Sequence, residues 1–254
     1  ATVQIVGTSV LRDARNGADV LAKIEAATGI QPRLVSGEEE GRLAAEVVVR
    51  TLPIRDGIAL DLGGGSMQLV RIQHGEIADA VSLRLGALRM TASFLANEPP
   101  TGDSLCALRR HAVNELSTVS WLGESGLSIV AAGGSARTIA KVSRKAEGSP
   151  AFQHGDAVHT ESILDLTDRL SRMSAAERTA VPSMPLHRVE TIVAATVILS
   201  AVLRLAGTRA LMVSSFGIRE ALAARALLGP HADSPISRPT PTVELSTDTP
   251  PAQA

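Results

Sequence analysis

Asp61-Leu62-Gly63-Gly64-Gly65-Ser66 joins two apolar, strand-like runs. Three successive glycines let a backbone turn sharply and aim several N–H groups at one place, with no side chain to block an anion. Asp61 at the strand end can hold a cation or a water. The alternative is a glycine-rich hairpin turn with no ligand. A Walker loop needs Gly-Lys-Ser/Thr opening a helix, and a dinucleotide fingerprint also opens one, so neither fits. A second segment, Ser36-Gly37-Glu38-Glu39-Glu40, sets three carboxylates in a first helical turn. Acids there complement the helix dipole. The chemical alternative is that one of them faces a cleft and takes a proton from an attacking water. A third, Ala131-Ala132-Gly133-Gly134-Ser135, runs from strand to helix, where N–H groups bind phosphate or simply make a turn. Ser214 to Glu220 repeats that arrangement, as a site or as a capped helix start.

Other chemistries lack their residues. The six histidines are scattered without HExxH spacing, and the single cysteine, Cys106, allows neither an intrachain disulfide nor a cysteine metal cluster. No Gly-x-Ser-x-Gly elbow is present. Lys plus Arg is 25 against 26 Asp plus Glu, without a basic run, and there is no Tyr and only one Trp. Nucleic-acid binding is therefore not expected. The most apolar stretch, Thr191 to Leu203, is shorter than the roughly 20 residues a bilayer needs and reads as a core helix. No membrane association is expected, and the lone cysteine fits a cytoplasmic protein.

The elements that must position these segments alternate in period, which predicts an α/β fold. Strands are expected at Val3–Val6, Arg33–Val35, Ile58–Leu60, Leu69–Ile72, Ile77–Leu83, Leu127–Ala132 and Ala210–Val213, with a turn at Gly75-Glu76. Helices are expected from an Asn16 cap to a Gly29 stop, then over Glu38–Arg50, Leu88–Leu95, Gly102–Leu116, Ser135–Lys145, most of 160–206 and Gly217–Leu228. Six prolines and no long apolar run in Pro230–Ala254 predict a disordered tail.

In this order and spacing the segments resemble the exopolyphosphatase/guanosine pentaphosphate phosphatase (Ppx/GppA) family. The resemblance runs from Val6 to about Leu228. It rests on Gly7–Asn16, Val35–Leu43, Asp61–Ser66, Ser82–Arg89, Gly133–Thr138, His187–Glu190 and Gly217–Glu220. It implies a two-lobe α/β fold of the actin/Hsp70/sugar-kinase (RNase H-like) type with the active site in the cleft. Residues 1–57 would be the remainder of the first lobe and 58–229 the second lobe, ahead of the 230–254 tail. The implied reaction is removal of terminal phosphate from inorganic polyphosphate or guanosine pentaphosphate, assisted by Mg2+. It assigns Glu40 as the catalytic carboxylate, Gly63, Gly64, Gly65, Ser66 and Arg12 to phosphate and Asp61 to the metal; Gly133, Gly134 and Ser135 stand beside these as a second candidate site from the local pattern.

Two departures qualify the resemblance. The family has a further Asp-Gly-Ser-type phosphate loop upstream of the Thr8-Ser9 segment, so the first lobe is expected to be N-terminally incomplete, and an exposed sheet edge there invites a homodimer. Gln68 stands where the family has Glu, which keeps the shape and loses the charge. A non-catalytic polyphosphate or alarmone binder is therefore a second expectation. A sugar kinase-like phosphotransferase is disfavoured by the Ser-Gly-Glu-Glu-Glu segment.

Overall fold

A computed structural model describes residues 3–124 and 126–228. The tail expected over 230–254 lies outside the described residues. The chain begins with β1 (Val6–Gly7), α1 (Ser9–Asp13), α2 (Gly17–Thr28) and β2 (Arg33–Leu34), with β1 and β2 paired in parallel. The strand expected over Val3–Val6 forms at Val6–Gly7, where the Arg33–Leu34 partner reaches it. Helix α2 ends as expected on Gly29, whose φ of 68° suits a residue without Cβ. Asn16 precedes that helix but makes no side-chain cap bond.

Then come α3 (Gly37–Thr51) and an antiparallel meander, β3 (Gly57–Leu62), β4 (Met67–Gln73) and β5 (Glu76–Leu83). The tight turn between β4 and β5 falls at His74-Gly75, one residue earlier than expected. Both residues have positive φ (56° and 85°), as a two-residue hairpin demands. After α4 (Ala87–Phe94) and α5 (Gly102–Leu116), β6 (Ser128–Ala132) joins β3 in parallel and leads into α6 (Gly133–Ala146). The remaining elements are β7 (Ala157–His159), α7 (Thr160–Ser171), α8 (Ala175–Thr179), α9 (Ile192–Ala206), β8 (Ala210–Val213) and α10 (Ile218–Leu228). The six-stranded sheet has the order β5-β4-β3-β6-β8-β7. Strand β7 was not foreseen; three residues carry too little pattern, and its pairing with β8 makes it a strand.

Period-2 alternation divides the sheet's two faces. Ile58, Leu60, Leu62, Met67 and Leu69 join the large core that contains α9, a helix buried almost all round, as the Thr191–Leu203 pattern predicts. Ala59, Val70, Ile72 and Val130 face the other way, against Ala45 and Val48 of α3. Helix α10 packs on the outside of α3 through Ala221, Leu43 and Val47. Among the described residues no helix is long and apolar enough to cross a membrane.

An arginine is enclosed in this core. Arg178 has 0% exposure and donates to Met173 O (3.2 Å), Val189 O (2.5 Å) and Glu98 Oε2 (2.5 Å). Arg178→Ala leaves two carbonyls in the interior without their donor and frees the exposed Glu98 carboxylate to water. It is expected to destabilise the chain by about 2–4 kcal/mol in urea unfolding, mostly through the unmet carbonyls. Arg178→Lys should rescue little, because one ammonium cannot span three divergent acceptors.

Candidate functional site

Strands β3, β6 and β8 are parallel, so their C-terminal ends share one edge of the sheet. Such edges are where open α/β sheets hold ligands. The glycine loop follows β3, Gly133-Gly134 follow β6, and the 214–217 turn follows β8. A cavity of about 190 Å³ opens among them, with Asp61, Gly63, Gly64, Gly133, Gly134 and Gly217 in its wall. Three segments read separately from the sequence therefore meet.

The loop is shaped by α4. Gly63 N donates to Ser66 O (3.0 Å), closing a tight turn. The carbonyls of Gly63, Gly64 and Gly65 are taken by Ala87 N (2.9 Å), Arg89 N (3.0 Å) and Arg89 Nε (2.7 Å). In a planar trans peptide the N–H points opposite to the C=O. Holding those three carbonyls on one side turns the N–H groups of Gly64, Gly65 and Ser66 to the other. None of the three makes a hydrogen bond among the described residues. N–H groups left open on one side in this way suit an anion, and the N-terminal turn of α4 sets their direction. Gly86 is needed for it, because a Cβ there would overlap the backbone of Gly64 and Gly65.

The alternation that buries Ile58 and Leu60 on one face turns Asp61 to the other, beneath α3. Register then sets Asp61 opposite Gln68, and Gln68 opposite Ser82, as one polar row. Gln68 Nε2 donates to Ser66 Oγ (2.7 Å) and Ser82 Oγ (3.1 Å), so Ser66 keeps its N–H open while its hydroxyl is engaged behind it. Gly37 and Gly41 let α3 lie close on this row, since Cβ atoms would run into Ser82 and Gln68. Ser36 caps the helix by accepting from Glu39 N (3.0 Å). Of the three acids in the first turn, Glu38 is exposed, Glu39 pairs with Arg33, and Glu40 alone is buried.

Glu40 has two neighbours of opposite effect. Arg12 Nη1 lies 3.5 Å from its Oε2 and donates to Val35 O at 2.7 Å. Burial raises the Glu40 pKa above its ordinary range, the charge of Asp61 raises it further, and Arg12 opposes both. Burial also raises the Asp61 pKa, with Arg137 opposing. Two carboxylates whose charged forms burial disfavours, close enough for their charges to interact, are candidates for acid–base chemistry.

Four cations beyond Arg12, none of them among the expected site residues, extend the site. Arg137, Lys141, Arg188 and Arg219 line a wider depression of about 520 Å³ that continues from the cavity. None of the four has an ion-pair partner among the described residues. Arg188 Nη1 donates to Ser135 Oγ (3.3 Å) and Arg137 Nη1 to Ser215 O (3.1 Å). Burial and the neighbouring Arg137 lower the Arg188 pKa. The double glycine has a physical use. A Cβ on Gly133 would overlap Asp61 Oδ1, and one on Gly134 would overlap the Arg188 guanidinium. Ser135, by contrast, is buried and engaged by Arg188, inside the site's support and away from the cavity wall. Arg219, a cation in the first turn of a helix, opposes the dipole preference and was a legible signal. No group of three or more His, Cys, Asp or Glu side chains suited to a metal occurs among the described residues.

The profile of the Ppx/GppA phosphatase family matches residues 1–229. Exopolyphosphatase 1 of Mycobacterium leprae is 30% identical over 233 residues, covering 89% of this chain and 68% of the relative. Exopolyphosphatase 2 of Mycobacterium tuberculosis is 28% identical, with 87% and 73% covered. The crystal structure of an exopolyphosphatase from Cytophaga hutchinsonii superposes with a TM-score of 0.81 at 22% identity, covering 90% of this chain and 76% of that one. The Aquifex aeolicus Ppx/GppA family member gives 0.76 at 24% identity, with 89% and 74% covered. The α/β fold is the one expected, shared with these solved structures, and the chain belongs to the Ppx/GppA phosphatase family.

Proposed function

We propose that this chain removes terminal phosphate from inorganic polyphosphate in the cytoplasm by in-line attack of water. The observation that carries the reading is a buried Glu40 whose charge interacts with that of Asp61, the residue at the end of the strand that leads into the loop with three unpartnered N–H groups, Gly64, Gly65 and Ser66. A terminal phosphate held by those N–H groups, with Arg188 and Arg137 on the next residues of the polyanion, leaves its outer face to a water beside Glu40. Glu40 accepts the water's proton as the new P–O bond forms. The bridging P–O bond breaks, orthophosphate leaves, and the bridging oxygen becomes the new terminal oxyanion of the shortened chain. Positioning and charge stabilisation do most of the work in such transfers.

A divalent cation fits the donor set. Mg2+ is commonly bound by one or two carboxylates together with substrate phosphate and waters, and Asp61 is a carboxylate in the cavity wall whose charge burial disfavours, so a cation would be welcome there. Bound there, Mg2+ would neutralise phosphate oxygens. The test is orthophosphate release from polyphosphate and from guanosine pentaphosphate at equal enzyme, with and without Mg2+. Mg2+-dependent release that is faster on polyphosphate supports the reading. Faster release from guanosine pentaphosphate moves the substrate to the alarmone. Binding of polyphosphate without release favours the non-catalytic reading, for which the uncharged Gln68 in the polar row is the specific observation.

Asp61 also predicts a stability effect. An acid whose pKa is raised by folding contributes stability that is fully present below its unfolded pKa and is lost as pH rises through the folded value. At neutral pH the ionised Asp61 therefore weakens the fold. Asp61→Asn is expected to raise Tm in metal-free buffer at pH 7–8, and the gain should shrink toward pH 4. A lower Tm at pH 7 would contradict this account of the carboxylate.

A further inference from the structure

The short helix α1 touches both halves of the reaction site. Its Arg12 reaches Glu40, which lies on α3. The next residue, Asp13, pairs through Oδ2 with Arg89 Nη2 on α4. The same Arg89 uses its Nε on Gly65 O (2.7 Å) and its backbone N on Gly64 O (3.0 Å). Ser9, at the other end of α1, lies against Gly65 so closely that a Cβ on that glycine would strike its hydroxyl. One five-residue helix thus lies between the carboxylate that handles the proton and the loop that holds the phosphate. The loop's N–H directions depend on Arg89, and the orientation of Arg89 depends on Asp13.

We propose that α1 is a strut that fixes the distance between Glu40 and the phosphate nest, and that the Asp13–Arg89 ion pair is its fastening. The inference rests on the hydrolytic reading for its kinetic consequence and on geometry alone for its mechanical one. Asp13 and Arg89 are positioning residues. A guanidinium suits the place because its planar fork serves Gly65 O with one nitrogen and the Asp13 carboxylate with another. The pair is partly exposed, with side-chain exposures of 25% and 33%. Its thermodynamic share is therefore small, whereas reaction rate is sensitive to displacements on the order of 1 Å between base and phosphate.

The test uses the whole chain and two readouts. Asp13→Asn is expected to speed amide hydrogen exchange about three-fold at Arg12 and Ala14, at the end of α1, and at Gly63, Ala87 and Arg89, whose bonded N–H groups hold the loop, as loss of one partly exposed ion pair would. It should lower kcat on polyphosphate about ten-fold with KM changed less than about two-fold, because the nest and the cations still bind the polyanion. Asp13→Glu should restore both. Arg89→Lys keeps a cation for Asp13 but cannot also serve Gly65, so its exchange increase should be confined to the loop. Unchanged exchange in Asp13→Asn overturns the strut, as does an increase spread evenly over the chain. A raised KM at unchanged kcat overturns it as well, making the pair a substrate contact. If the parent chain releases no phosphate, the hydrolytic reading fails separately and the exchange pattern alone decides the strut.

Discussion

Glu40→Gln is expected to lower kcat for phosphate release about 10³-fold, with KM within a factor of about three, because the amide keeps the shape of the carboxylate and cannot take a proton. The chain should remain folded, since the substitution removes a charge that burial and Asp61 both disfavour. The pH profile of the parent supplies a second check. Phosphate release requires Glu40 ionised, and its pKa is raised, so kcat should fall on the acid side at a pH above the ordinary carboxylate range. Arg12 opposes that shift, and Arg12→Ala should move the acid limb to still higher pH. Mg2+ at Asp61 should move it down by cancelling the neighbouring charge. Full activity in Glu40→Gln would remove Glu40 from the mechanism and return its burial to helix electrostatics.

The sequence made the frame legible because the frame is periodic. The strand at Ile58–Leu60, the Gly102–Leu116 helix and the apolar Thr191–Leu203 core follow from alternation or helical spacing. The short pieces were not legible. Helix α1 has five residues and β7 has three, and each takes its form from what it packs on. The site divided the same way. Glycines and acids stood out, since few structural roles need Gly63-Gly64-Gly65 after an Asp. Among Glu38, Glu39 and Glu40 the local pattern favoured none; the ordered family motif pointed to Glu40, and the structure buries it. Arg89, Arg137 and Arg188 were quoted inside motifs without a role. An arginine's task depends on which carbonyls or carboxylates lie within reach, and those come from elements 24 to 78 residues away in the chain. Gln68 is the reverse case. Its replacement of Glu was visible at once, but its use as a double donor to Ser66 and Ser82 needed the β3–β4–β5 register.

That register also explains the second large effect, expected from Gly133→Ala. Gly133 opens α6 with φ of 86°, in the region that L side chains avoid, and its missing Cβ is the space occupied by Asp61 Oδ1. Two penalties combine. The backbone conformation alone costs an alanine about 1–2 kcal/mol, and the overlap adds about 1–3 kcal/mol because the short Asp61 side chain must turn out of its place between β3 and α6. A total of about 2–5 kcal/mol should appear as a lower urea midpoint. Phosphate release should fall about 100-fold even where the chain is folded, since the carboxylate must turn away from its cation position. Two comparisons separate the terms. Gly148→Ala has a similar φ of 67° and nothing within 4 Å, so it should show only the backbone penalty and full activity. Gly134→Ala meets the end of the flexible Arg188 side chain, which can move aside. It should therefore raise KM for polyphosphate more than it lowers stability. Equal destabilisation by Gly133→Ala and Gly148→Ala would mean that Asp61 has room to spare, and the tight β3–α6 approach would lose its explanation.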